Sequence, residues 1–249
     1  MLARWVLKLG WDWDKILDYD DTLIPPADQR ASVGMPDRAH FKAVGKLAVS
    51  RFVRECNLKP SETILDVGCG VGRIAIPLTS YLKTGRYEGF DIIPNSIDWC
   101  CQHISPQYPH FQFKLLDIYN PTYHPKGQLA AHEIPFPYPN DHFDFVFLTS
   151  IFTHLLPPDV EHYLAEIKRV LKPKGRCYNS FFLFNDQQQY SRSGLDFKYD
   201  FGHYRLLNLE RPTDAISYRE QYIYNLFQQH GLSISTVHYR KQDAIIAFK

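Results

Sequence analysis

No apolar run in this chain approaches the roughly 20 residues needed to cross a bilayer, so no membrane span is expected. Lysine and arginine form no block, and 28 of them against 27 acidic residues leave a formal net charge of +1. That balance carries no electrostatic footprint for DNA or RNA, and a nucleic-acid partner is not expected. Cysteine is sparse: there are five, two of them adjacent (Cys100, Cys101), and none in a C-x-x-C pair. A disulfide framework is thereby excluded, and reduced thiols in a cytoplasmic protein are the expectation. Eleven histidines are scattered without H-E-x-x-H or any other metal-ligand spacing, so no metal is expected. The start, Met1-Leu2-Ala3-Arg4-Trp5-Val6-Leu7, meets a charge too early to read as a signal peptide. The 249 residues, 45% hydrophobic, suit one globular domain with a full core.

The informative stretch is Thr63–Arg73, T-I-L-D-V-G-C-G-V-G-R. Ile64-Leu65-Asp66-Val67 has the length and β-branched content of a buried parallel strand. It breaks into Gly68, Gly70 and Gly72, and a helix-like run then begins at Arg73. Glycine lets backbone approach a ligand closely, and a helix start offers unpaired N–H donors. The spacing is G-x-G-x-G rather than the G-x-G-x-x-G of dinucleotide-binding folds. Asp66, inside the strand end, would repel a pyrophosphate and attract a cationic group. The ligand therefore has a positive end.

These residues resemble the first motif of class I S-adenosylmethionine-dependent methyltransferases. The resemblance implies that the glycine loop, with Asp66, Gly68, Cys69, Gly70 and Arg73, passes under the methionine part of that cofactor. A second block is similar to methyltransferases of type 11 or type 25: F-D-F-V-F-L-T-S-I-F-T-H-L through H-Y-L-A-E-I-K-R-V-L-K-P-K-G-R. The fold implied is α/β, a three-layer, doubly wound, seven-stranded sheet, mostly parallel with an antiparallel last strand. It forms a single domain over 1–249, with an N-terminal arm (1–36), a leading helix (37–57) and an insertion (185–216) that covers the acceptor site.

Along the chain, helical spacing of Phe41, Val44, Leu47, Ala48, Phe52 and Val53 predicts the leading helix. A helix over 73–83 then leads to a strand at Tyr87–Ile92, ending in Asp91. That carboxylate lies about twenty residues past the glycines, where it can accept from both ribose hydroxyls, with Ile92 beside it. A third strand, Phe111–Ile118, carries Asp117 and Ile118. In the family such a pair accepts from the adenine amino group and flanks the ring. Five prolines from Pro121 to Pro139 forbid a long helix there and predict an extended loop. A fourth strand, Phe143–Leu148, precedes Thr149 and Ser150, which should border the methyl group with His154. A helix over Val160–Leu171, a fifth strand over Arg176–Phe184, a final helix over Tyr218–His230 and strands at Ser233–Tyr239 and Ala244–Phe248 complete the reading.

One competing motif needs weighing. Asp18-Tyr19-Asp20-Asp21-Thr22 matches the D-x-D-x-T of haloacid-dehalogenase-like phosphatases. In that family the first aspartate ends a buried strand. Here only Ile16-Leu17 precede it, behind Asp12, Asp14 and Lys15, so a solvated acidic turn is the better reading.

A methyl sulfonium is electrophilic without metal or covalent help, so the protein's task is positioning. A hydroxyl acceptor loses a proton during attack and needs a base, whereas a carboxylate or neutral amine does not. His154 is the leading candidate for that base, with His203 and Tyr204 of the insertion behind it. The expected activity is O-methylation of a small or medium-sized metabolite. The alternatives are N- or C-methylation and, from another class, a non-catalytic cofactor-binding or assembly protein.

Overall fold

The structure, a computed structural model, describes residues 20–187 and 192–249. Its elements alternate in the α/β manner: α1 (Ala27–Ser32), α2 (Arg38–Cys56), β1 (Thr63–Val67), α3 (Ala75–Tyr81), β2 (Arg86–Asp91), α4 (Pro94–His103) and β3 (Phe111–Leu115) come first. After them come β4 (Phe143–Leu148), α5 (Pro157–Val170), β5 (Leu171–Phe184), β6 (Tyr199–Asp200), β7 (Tyr204–Leu206), β8 (Ile216–Arg219), α6 (Glu220–Gln229), β9 (Ser233–His238) and β10 (Asp243–Phe248). They group into two compact units. One holds the chain up to Thr63 plus Cys69–Leu115, the other Ile64–Gly68 plus Leu116–Lys249. The division falls inside the glycine loop.

In the first unit, α2 begins where the Asp37 carboxylate accepts the His40 N–H at 2.6 Å, satisfying one orphan donor of the first turn. It ends at Asn57, whose left-handed backbone lets its N–H close on the Phe52 carbonyl. Phe41, Val49, Phe52 and Cys56 form its buried face. Strands β2 and β3 pair in parallel from Tyr87↔Phe111 to Asp91↔Leu115. Pro94 opens α4, where its fixed φ suits the first turn. The third strand stops at Leu115, short of the expected Ile118.

The second unit is built on β5, which is parallel to β4 (Val146↔Cys177, Leu148↔Asn179). Strand β4 is in turn parallel to β1, from Ile64↔Phe145 to Val67↔Leu148. On its other side β5 meets β10 antiparallel, from Asp243↔Phe181 to Phe248↔Arg176, and β10 meets β9 antiparallel. The seven expected strands are thus β1–β5, β9 and β10, with the antiparallel pair at the end of the chain as expected. Phe181 stacks on Phe152 with centroids 4.7 Å apart and meets Phe227 of α6, all three fully buried. The proline-rich stretch holds only a 3₁₀ turn, Ala131–Glu133. Its extended chain is tied to α5: Arg169 donates to the Phe136 and Tyr138 carbonyls at 2.9 and 2.8 Å, and Glu166 accepts the Phe136 N–H at 2.6 Å.

The insertion departs from expectation. Residues 199–219 contribute three more strands: β6 and β7 pair antiparallel, β7 pairs antiparallel with β8, and β8 runs parallel to the end of β5 (Phe182↔Ser217, Phe184↔Arg219). Tyr218 and Arg219, expected to begin the final helix, are therefore strand, and that helix begins at Glu220. The run Ile216-Ser217-Tyr218 alternates with period two, and free edges on β5 and β7 decide its state.

Close backbone approach fixes one residue of β2. A Cβ on Gly89 would lie 2.9 Å from the Cβ of Cys69 in the glycine loop and 3.0 Å from the Tyr87 hydroxyl. Gly89→Ala should therefore cost about 1–3 kcal/mol of stability, as overpacking does. A urea midpoint equal to wild type would show that the loop yields freely.

Candidate active site

In the first unit the site is organised by Asp91, the last residue of β2. Its Oδ2 accepts the Gly70 N–H at 2.7 Å, and its Oδ1 accepts those of Ile92 and Ile93 at 2.7 and 3.0 Å. A carboxylate has about four lone-pair positions, so three backbone donors leave roughly one. Asp91 can thus take one ribose hydroxyl cleanly, and a second must share. Burial raises its pKa above the usual aspartate value, against the three N–H donors that lower it.

The glycine loop adopts backbone that side chains resist. Gly70 has φ +52, and a Cβ there would meet the Val33 side chain at 2.9 Å. Val33 belongs to the N-terminal arm, of which the structure describes residue 20 onward. Arg73 Nη1 donates to the Met35 sulfur at 2.9 Å. Arg30 shapes the same arm by donating to the Pro25 and Pro36 carbonyls. The arm therefore lies on the glycine loop, and two cofactor candidates, Gly70 and Arg73, are in contact with it. Cys69 is buried, and its N–H donates to the Phe90 carbonyl at 3.1 Å. Ile92 is half-buried beside Asp91.

In the second unit, Asp66 is buried on β1 one residue before the strand's end. Gly68 follows with φ +78, and a Cβ there would lie 2.1 Å from Ile151 Cδ1. Thr149 and Ser150 follow β4. Ser150 has φ +62, its N–H donates to Ser180 Oγ at 2.7 Å, and its own hydroxyl donates to Gln242 at 2.9 Å. It thus braces the end of β4 against β5 and the β9–β10 turn. Asp117 lies two residues beyond β3, its carboxylate largely exposed and 3.9 Å from His124. Ile118 is buried and bridges to Leu129.

His154 is half-buried, and its Nδ1 lies 2.9 Å from the Thr213 carbonyl. A carbonyl only accepts, so Nδ1 carries a hydrogen, and in the neutral ring Nε2 holds the lone pair. The ring of Tyr123 meets the imidazole edge-on, centroids 5.9 Å apart. Tyr123 sits on a tight hairpin turn shaped by Asn120, whose side-chain oxygen accepts the Thr122 and Tyr123 N–H groups at 2.9 Å. Of the insertion candidates, Tyr204 stacks on Phe201 (5.0 Å) and lies 6.3 Å from Tyr218. His203 is exposed and stacks on Tyr222 at 4.9 Å. Tyr190 lies outside the described residues. Tyr123, Thr213 and Tyr218 escaped the sequence reading, because nothing local marks a tyrosine or a backbone carbonyl as the neighbour of a distant histidine.

Of the D-x-D-x-T match, Asp18 lies outside the described residues. Asp20 caps the 3₁₀ turn Asp21–Leu23 through the Thr22 N–H and hydroxyl, and Asp21 pairs with Lys42 and Arg38. Both acids are engaged in local structure. Among the described residues, no group of three His, Cys, Asp or Glu could hold a metal ion, and no helix is long and apolar enough to cross a membrane.

Strand, glycine loop, helix and an acid closing the next strand define a doubly wound nucleotide-binding α/β protein. Comparison with known proteins narrows this further. Residues 65–179 match the model of a methyltransferase domain. A phthiotriol/phenolphthiotriol dimycocerosates methyltransferase of Mycobacterium leprae is 28% identical over 205 residues, 82% of this chain and 64% of that one. A tRNA N(3)-cytidine methyltransferase of Gallus gallus is 26% identical over 138 residues, 55% of this chain and 34% of that one. Among solved structures, a 1,6-didemethyltoxoflavin-N1-methyltransferase of Burkholderia thailandensis, described with S-adenosylhomocysteine bound, shares the fold. Its TM-score is 0.57 at 16% identity, with 92% of each chain covered. Residues 65–179 therefore carry a methyltransferase domain, on a Rossmann-like fold of the class I, S-adenosylmethionine-dependent kind. It spans less than two thirds of the length of the curated relatives it matches.

The buried acids and glycine loop fit such a cofactor: Asp66 suits an ammonium, and Asp91 a ribose hydroxyl. Asp91→Ala removes the acceptor of three N–H groups as well as the acceptor that a ribose hydroxyl would use. Hydrogen bonds to a charged group are worth about 1.5–3 kcal/mol each, so calorimetric affinity for S-adenosylmethionine should fall at least tenfold. Because the carboxylate accepts more strongly when ionised and its pKa is raised, wild-type affinity should decline on acidification above the ordinary aspartate range. Unchanged binding by Asp91→Ala would remove it from the site.

Proposed function

We propose that this protein transfers a methyl group from S-adenosylmethionine to a hydroxyl oxygen of a small or medium-sized metabolite. The observation that carries the oxygen assignment is the fixed imidazole of His154, whose lone pair is left on Nε2. A basic nitrogen held in one orientation serves a nucleophile that must lose a proton, as a hydroxyl does. When bound, the sulfonium cofactor supplies an electrophilic methyl group. Asp66, the loop from Gly68 to Arg73, Asp91 with Ile92, and Asp117 with Ile118 would hold it, with Thr149 and Ser150 closing the methyl end. His154 would take the acceptor's proton at Nε2, and the apolar rings of Tyr123 and the insertion would exclude water. The acceptor would lie against exposed or half-exposed aromatic surface, with Tyr123 at 39% and Tyr199 at 38% exposure. Such rings offer flat apolar faces with polar tips.

The relatives favour one second reading, N-methylation, since two of them are named for methylating nitrogen. A neutral amine needs no base for attack, so the two readings separate at His154. A nucleic-acid acceptor is disfavoured by the formal net charge of +1. The cysteines, four of them buried and none in a disulfide, suit a reducing cytoplasm.

Turnover of tritiated S-adenosylmethionine with extracted metabolites tests the proposal. His154→Ala should lower kcat by about 10²–10⁴ while cofactor affinity holds. A near-native rate would leave the nitrogen reading. Replacing Tyr199 and Tyr204 by alanine should raise KM for the acceptor and leave cofactor affinity nearly intact. A comparable loss of cofactor binding would remove the insertion from the acceptor side.

A further inference from the structure

Three consecutive residues that follow the β4 loop are each held by one short stretch of chain. The Thr153 carbonyl accepts the Ile216 N–H at 2.8 Å. His154 Nδ1 donates to the Thr213 carbonyl at 2.9 Å. The Leu155 carbonyl accepts the Tyr218 hydroxyl. The donors and acceptor on the far side all fall within residues 213–218, the 3₁₀ turn Pro212–Asp214 and strand β8. That stretch is itself fixed from two sides. Strand β8 pairs with β5 from Phe182 to Phe184 and with β7 from Tyr204 to Leu206, and the Ala215 carbonyl accepts the Leu207 N–H at 3.1 Å.

Tyr218 is fully buried. Burial, then the neighbouring Tyr222, Asp159 and Tyr204, push its phenol well above the ordinary tyrosine range. It therefore stays protonated and serves as a constant donor to Leu155. Its ring also packs edge-on against Phe181 of β5 at 6.3 Å. The imidazole of His154 is then set by the Thr213 carbonyl on one nitrogen, by backbone bonds on either side of its own residue, and by the Tyr123 ring 5.9 Å away.

We propose that residues 213–218 form a positioning clamp that holds His154 in the tautomer with Nε2 unprotonated, with Tyr218 as its positioning residue. The proposal rests on the reading of His154 as the base and gives the insertion a second task. Beyond lining an acceptor, it sets the direction in which the base points. Because Tyr204 is in register with Tyr218 across β7 and β8, the half of the insertion facing the acceptor and the half gripping the histidine are one β-ribbon. Distortion at one end is transmitted to the other through backbone bonds.

The tautomer is read without knowledge of the acceptor, and turnover is followed with the extracted metabolites. Long-range ¹H–¹⁵N spectra of the full chain labelled in histidine, assigned with His154→Ala, report which ring nitrogen carries the proton. Wild type at neutral pH should show His154 protonated at Nδ1 and bare at Nε2, and the opposite tautomer overturns the proposal. Tyr218→Phe deletes one hydroxyl at almost constant volume. It should mix the two tautomers and lower kcat roughly 10- to 100-fold, the scale of a small misplacement, while cofactor affinity stays within twofold. A Tyr218→Phe protein that keeps both the tautomer and the turnover overturns the clamp, even where His154→Ala is inactive and the base reading stands. Should Tyr218→Phe fail to fold, the wild-type tautomer alone decides.

Discussion

One buried carboxylate governs the glycine loop of this protein. Asp91 terminates β2, and its three backbone hydrogen bonds reach both directions in sequence: forward to Ile92 and Ile93, and back by twenty-one residues to Gly70. Burying a charge of this kind is expensive unless it is paired or hydrogen-bonded. The compensation comes entirely from main-chain N–H groups that would otherwise be orphans of a tight turn. The glycine loop cannot move without exposing that charge to a poorer environment. Equally, the carboxylate cannot leave without freeing the loop. The amides of the loop and the carboxylate are thus held in fixed relation by a single group.

The packing beneath is arranged to permit this. Gly89 gives up its side chain so that Cys69 can approach β2, and α4 presents Cys100 and Ile104 to the loop, its Cβ-less Gly72 lying 2.7 Å from Ile104 when a methyl is imagined there. The arm adds Val33 from above. The loop is enclosed by apolar side chains on the faces not needed for a ligand, which strengthens each polar contact it makes by lowering the local dielectric. The same condition makes Asp91 sensitive to acid: a raised pKa narrows the range in which the carboxylate stays ionised.

Much of this was legible in the chain itself, because the residues responsible are local or follow a fixed period. Phe143–Leu148 reads as a buried strand from a run that is apolar except at Asp144, and it is β4 to the residue. Pro94 marks a helix start, since its fixed φ and missing N–H suit the first turn, whereas the helix expected from Val160 begins at Pro157. Five prolines announce that 121–139 holds no long helix. The illegible part depends on partners far apart in sequence. Ile216–Arg219 is a strand only because the ends of β5 and β7 accept it, and a run of four residues ahead of a helix carries no period long enough to announce that. Asp117 looked like a strand end because the apolar pattern continues to Ile118. The actual strand stops at Leu115, and the next residues bond instead to Leu129.

The histidine shows the same limit in a sharper form. His154 was visible as a candidate because it follows β4 at the ligand end of the strands, where open parallel sheets place their chemistry. Its state was not visible, since a tautomer is chosen by whatever the other nitrogen meets. Here that partner is a backbone carbonyl fifty-nine residues away. A carbonyl has no side chain to read, so no inspection of residue types could have found it. The consequence reaches beyond this site. A strand added at the end of β5 fixes a turn, the turn supplies a carbonyl, and the carbonyl leaves the lone pair on Nε2. On the proposed reading of His154 as the base, the insertion would influence reactivity through the fold of its backbone, and its side chains would be free to vary with the acceptor.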